Sequence, residues 1–198
     1  TFVPIENVKI YLNFLFLLKS KIDINKINIS SEEITIKELK DLIIKVKPSN
    51  ITSLIINKVK SGKLNTNLDL YFDNNLKIVN FIAKGEVKEM RGYLTKNLVA
   101  KGASFNFFFD KSDLIIKNTK MNLNGILLKS GNLYLTRGDN INLKSEFSTD
   151  IKLDKNNLKS YSFFLNDNKN KNIFNNINVN LDNVLNIKFD KTLKVLDY

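Results

Sequence analysis

The chain has 198 residues, 43% hydrophobic and 26% charged, with 7 glycines and 2 prolines, so it can bury a core and is too apolar to stay unfolded. It contains no cysteine and no histidine, which excludes disulfides, thiolate chemistry, thiol or imidazole metal sites and every triad built on histidine. The net charge of +11 is spread along the sequence and is almost wholly lysine, with arginine only at Arg91 and Arg137; since lysine and asparagine share A/T-rich codons, it reads first as compositional bias on solvated faces, next as attraction to acidic lipid headgroups, and last as a nucleic-acid surface.

The chain starts at Thr1 and stops at Tyr198 inside an apolar alternation, so the expectation is a piece of a longer protein. No run of about 18 apolar residues is present, and the best stretch, Val8 to Leu18, is interrupted by Lys9 and Asn13. In that stretch Val8, Ile10, Leu12, Phe14, Phe16 and Leu18 form one stripe, with Leu15 and Leu17 on the other face. This predicts a strand buried on both sides near its end. Ile22 and Ile24, then Ile27 and Ile29, predict a second extended segment with a register shift at Asn25 and Lys26. Residues 1–34 are thus read as opening strands.

Residues 35–61 read as a short helix pair. Thr35 and Glu38 have capping-box spacing, and Ile36, Leu39, Leu42, Ile43 and Val46 share a face up to Pro48. A second helix from about Asn50 to Lys60 has Ile51, Leu54, Ile55 and Val59 as its stripe, with Gly62 placed as its C-cap. Lysines on the outer faces allow a membrane-surface role; a cap over the end of a sheet is the plainer reading.

Residues 62–154 alternate with period two. Leu64, Thr66, Leu68, Leu70 and Phe72 are followed by a turn at Asp73-Asn74-Asn75; Gly85 is expected to break the next run, and Met90-Arg91-Gly92 to form a bulge. Ala103, Phe105, Phe107 and Phe109 share one face before the turn at Asp110 to Asp113, and Asn124-Gly125 is a two-residue hairpin signal. After the turn at Arg137-Gly138-Asp139, Ile141, Leu143, Phe147, Ile151 and Leu153 alternate with polar residues along a strand that would run roughly 45 Å. Residues 155–198 read as a loop plus further strand: Leu158 to Leu165 fits helix or strand, Asn166 to Asn172 is polar, and alternation resumes at Ile177, Val179, Leu181, Leu185, Ile187 and Phe189. Turns after Phe72, Phe109, Leu153 and Phe189 each begin with Asp, the mark of a hairpin repeat. The predicted fold is mainly β, a long-stranded antiparallel meander curved into a groove.

No Gly-rich phosphate loop, nucleophile elbow or hydrolase-like acidic pair is present, so no catalytic residue, metal or cofactor is expected and the chain reads as no enzyme. Asp110 with Asp113 and Glu32 with Glu33 are the closest carboxylate pairs; a turn and a helix approach are preferred over a Ca²⁺ site. Phe105, Phe107 and Phe109 share their face with Ala103 rather than with cations, so they read as apolar lining, not as a nucleic-acid stacking platform. The apolar stripes admit two explanations: a sandwich core, as in a structural or adhesive surface domain without ligand, or the lining of a lipid groove formed by Leu64, Leu68, Leu70, Phe72, Phe105, Phe107, Phe109, Ile141, Leu143, Phe147, Ile151 and Leu153.

The segment FLFLLKSKIDINKINISSEEITIKELKDLI, through Leu17-Leu18-Lys19, Ile22, Ile24, Ile27, Ile29 and Leu39 to Ile44, resembles the opening module of AsmA-like proteins, the group including AsmA, TamB and YhdP. GKLNTNLDLYFDNNLKIVNFIAKGEVKEMRG resembles the hairpins of YhdP-like members, and the likeness spans roughly residues 8 to 154. It implies a taco-shaped repeating β-groove that conducts phospholipid acyl chains between the inner and outer membranes of a diderm bacterium. It further implies a periplasmic location, an inner-membrane anchor outside this sequence, further groove repeats of the same chain and no catalytic residues. Asn156 to Asn176 departs from the family pattern.

Overall fold

The computed structural model describes residues 4–18, 23–44, 50–93, 96–161, 176–192 and 194–198. Its elements are β1 (Ile5–Leu12), α1 (Phe14–Leu17), β2 (Ile24–Ser31), β3 (Ile34–Thr35), α2 (Ile36–Ile43), α3 (Asn50–Lys58), β4 (Val59–Phe72), β5 (Ile78–Tyr93), β6 (Val99–Phe109), β7 (Asp113–Leu123), β8 (Ile126–Arg137), β9 (Ile141–Asp154), α4 (Lys155–Ser160), β10 (Asn176–Phe189) and β11 (Val195–Asp197). All eleven strands form one open antiparallel sheet, ordered β1-β2-β4-β5-β6-β7-β8-β9-β10-β11 with β3 beside β4. The fold is therefore the expected groove-like meander of long strands: β4, β9 and β10 have 14 residues each and β5 has 16. Because every described strand lies in this sheet, no second sheet faces it as in a sandwich.

Turn chemistry sets the hairpins. The Asp73 carboxylate accepts from the backbone N–H groups of Asn75 and Lys77, both at 2.9 Å, while Leu76 takes a left-handed φ of 58°. Asp110 accepts from the N–H groups of Ser112 and Asp113, and Asp190 from those of Thr192 and Lys194. These side chains imitate a backbone turn and pair N–H groups that the turn would otherwise leave to solvent. Asn124 and Gly125 both have positive φ, 44° and 98°, the arrangement whose twist suits a two-residue hairpin.

Helices α2, α3 and α4 gather at one end of the sheet. Thr35 and Glu38 close the expected capping box, and Lys40 Nζ donates to the Val59 carbonyl at 2.6 Å, tying α2 to the start of β4. Asp154 caps α4 by accepting from the N–H groups of Asn156 and Asn157. Beside α4, Leu98, Leu153 and Tyr161 form a small buried cluster with Leu123, Ile126, Ile151, Leu158 and Ile177 around it. The other end carries α1 and the turns at 73–77, 110–112, 138–140 and 190–194.

Several expectations need correction. Val8 to Leu18 is not one strand buried on both sides: β1 ends at Leu12, Asn13 caps α1, and both elements are exposed throughout. β1 is the outermost strand, so it has a neighbour on one side only. Gly62 does not cap a helix; α3 runs directly into β4, and Gly62, at φ 141°, lies in a bulged stretch of that strand. Gly85 does not break its strand, since β5 runs through it. The Asp after Leu153 starts a helix rather than a hairpin turn. Leu158 is helical, the register shift between β1 and β2 falls at Asn25, and the bulge near Met90 is present. The readings at Ile22, Val46, Pro48 and 162–175 lie outside the described residues.

Candidate functional site

Directly paired residues on neighbouring strands project to the same face, so register alone assembles the candidate site. One transverse row runs Val8, Ile29, Leu68, Ala83, Phe109, Leu114, Leu135, Leu143 and Ile187, crossing nine strands without a polar residue. The next runs Thr66, Gly85, Phe107, Ile116, Leu133, Ser145 and Leu185. Nearer the helical end lie Leu64, Val87 and Phe105, then Val59, Gly92, Ala100, Leu123, Ile126, Ile151 and Val179. All twelve residues named from the sequence fall on this one face.

The other contributors were hidden by bulges. On β7 the apolar parity changes from Leu114 and Ile116 to Met121 and Leu123, across Asn118 with φ 56°. On β8 it changes from Ile126 and Leu128 to Leu133 and Leu135 across Ser130, and on β5 from Val87 to Met90 across Glu89 with φ 51°. A bulge adds one residue to a strand, so a face kept continuous in space loses its period of two in sequence. The signal that finds them is two short alternations out of phase by one.

Two glycines let aromatic rings settle onto the sheet. A Cβ at Gly131 would meet Phe147 Cδ1 at 2.1 Å, and one at Gly85 would meet the Asn65 carbonyl at 2.0 Å and Phe107 Cζ at 3.0 Å. Phe147 therefore lies across Gly131, and Phe107 closes on Gly85, each from the directly paired position. Phe81 and Phe109 add a tilted ring pair with centroids 5.3 Å apart. Polar breaks in the face are small: Ser31, Thr66, Thr119, Ser145, Thr149 and Asn183, with Asn183 Nδ2 donating to Thr149 Oγ1 at 3.3 Å.

The face is apolar, yet among the described residues no layer lies above it. Phe105, Phe107, Phe109 and Phe147 are half-buried by their neighbours, and no described residue with a large side chain is fully buried. Toward the β10 edge the lining opens further, with Leu181 42% and Leu185 47% exposed.

The opposite face is mixed, with a row of Lys84, Phe108, Ile115, Tyr134, Lys144 and Asn186 beside a polar corner. Lys26 Nζ sits 3.0 Å from Asp69 and 5.3 Å from the ring centroids of both Tyr11 and Tyr71, while Asn28 donates to Asn67 and Asp69 at 2.7 and 2.6 Å. Burial pushes the Asp69 carboxyl up, but hydrogen bonds from Asn28 and Lys26 and the Lys26 charge outweigh it and hold it below the usual carboxylate range. A shallow concavity of about 480 Å³ also touches this face, at Tyr134, Asn142, Lys144, Asn186 and Lys188. Its lining reaches Leu143 and Ile187 of the nine-strand row as well, and it brings together no nucleophile with a base, so the continuous face remains the better candidate. Among the described residues no group of three acidic side chains could hold a metal, Asp110 being occupied with its own turn. No described helix is long and apolar enough to cross a membrane.

No protein-family model, no curated protein and no solved structure matches the chain.

Proposed function

We propose that the chain is a lipid-binding, lipid-conducting groove segment of an AsmA-like envelope protein, passing phospholipid passively between inner and outer membranes. The observation that carries this reading is the nine-strand apolar row with no described element above it. An acyl chain is long, unbranched and without hydrogen-bonding groups, so it suits a surface that offers apolar contact along its whole length and few polar partners. At about 25 cal/mol per Å², covering a few hundred Å² of such surface gains several kcal/mol. Sliding exchanges like contacts for like, so no single step is steep and no catalyst is needed. In this reading the headgroup stays in water at the open side, the protein resides in the periplasm with its anchor elsewhere in the chain, and further repeats extend the sheet from its free edges.

The test is native mass spectrometry of the 198-residue chain purified from a bacterial host. Co-purifying phospholipid, released on denaturation, is the expected result. A folded protein free of lipid that also fails to take up a fluorescent phospholipid would remove the reading.

A further inference from the structure

The corner of the sheet that carries α1, at the end opposite α2, α3 and α4, presents apolar side chains outward. Phe14 is 68% exposed, Leu15 67% and Leu18 69%, and the β4–β5 turn at the same end adds Leu76 at 58% and Ile78 at 55%. None of the residues of α1 is buried, so this single helical turn is apolar on every side. A partner protein's groove covers one stripe of a helix, whereas the acyl region of a bilayer covers all of it.

Charge at the corner points the same way. Its carboxylates are all engaged: Asp23 and Asp69 are buried and accept from Asn13 and from Asn28 and Lys26, while the more exposed Asp73 and Asp110 accept from the N–H groups of their own turns and Asp113 from the Ser112 hydroxyl. Lys9, Lys77 and Lys111 are exposed, and Lys111 Nζ donates to the Val79 carbonyl, which brings its charge beside the apolar turn. Exposed lysines, beside carboxylates already occupied by hydrogen bonds, complement a negatively charged surface. Tyr11, 47% exposed, stands next to the patch, a residue type suited to the headgroup level.

We propose that α1 and the β4–β5 turn form a membrane contact that enters the interface of a bilayer containing anionic phospholipid, with Lys9, Lys77 and Lys111 against the headgroups. Its purpose rests on the groove reading, because Ile10 and Leu12 of the groove face lead directly into α1; its existence does not.

The chain has no tryptophan, so Phe14→Trp supplies a single reporter. With vesicles of phosphatidylglycerol and phosphatidylcholine its emission should shift to the blue and be quenched by brominated acyl chains; phosphatidylcholine alone, or high salt, should reduce binding. A Leu15→Ser, Leu18→Ser variant should partition at least about tenfold more weakly, and Lys9→Glu, Lys77→Glu should lose the dependence on anionic lipid. Absence of any shift in a protein folded by circular dichroism would overturn the proposal. So would a dimer that the serine variant disperses, since the patch would then be a contact between copies. Vesicle binding by a protein that co-purifies without lipid would keep the contact and remove the groove reading.

Discussion

Among the described residues, Tyr161 is the titratable group most altered by its surroundings. Burial pushes its phenol up to about 12, and its hydroxyl donates to the Leu123 carbonyl beside Leu98 and Leu153. Tyr161→Phe should cost about 1 kcal/mol in denaturant unfolding at neutral pH. Because the folded pKa lies above the unfolded value of about 10, the hydroxyl's contribution is whole below pH 10 and is lost as pH rises through 12. The advantage of the native protein over the variant should therefore vanish across that interval, and an advantage unchanged at pH 12 would contradict the burial. Two glycines give a second contrast. Gly85→Ala drives a Cβ into the Asn65 carbonyl, a backbone atom, and should destabilise by about 1–3 kcal/mol, whereas at Gly131 the nearest atoms belong to the Phe147 ring, which can rotate away. A thermal melt should thus rank Gly85→Ala below Gly131→Ala. None of this was legible from sequence: Gly85 read as a breaker, because the close approach that requires a glycine is made by residues 20 and 22 positions away.

At the scale of elements, local chemistry was readable and sheet position was not. The Thr35–Glu38 box, the Asp-led turns at 73, 110 and 190 and the Asn124-Gly125 hairpin follow from a few neighbouring residues, and each occurs as expected. Asp154 has the same local signature yet caps α4, since an Asp side chain can serve a turn or a helix start equally well. Val8 to Leu18 misled for another reason: apolar residues on both faces of a stretch imply burial only if something lies on both sides. β1 is an edge strand and α1 projects from its end, so the apolar content is exposed. The same edges set local stability. β1 and the greater part of β10 have a hydrogen-bonded neighbour on one side only, while β4 to β9 are paired on both. Amide exchange should be fastest in β1, β10 and β11 and slowest in the middle of β5, β6 and β8. Uniform protection across β10 would instead mean that its free edge is covered in solution.

At the scale of the whole molecule, the twelve sequence-derived lining residues share one face, and bulges in β5, β7 and β8 keep that face continuous. The sequence carried the groove because period-two alternation survives within each straight segment; it hid the lining of β5, β7 and β8 because bulges change the phase between segments. What distinguishes an uncovered groove from a hydrophobic core is the cost of a charge on it. In a closed core a carboxylate leaves water and is ruinous; on an open face it stays hydrated and disturbs only what the face binds. The most direct measurement is therefore a Phe107→Asp, Phe147→Asp variant, followed by thermal unfolding and by native mass spectrometry for bound lipid. An open groove predicts a cooperative transition, lowered but present, and a protein without lipid. A variant that cannot fold, from a parent that carries no lipid, would show that these rings are packed as a core and would contradict the account.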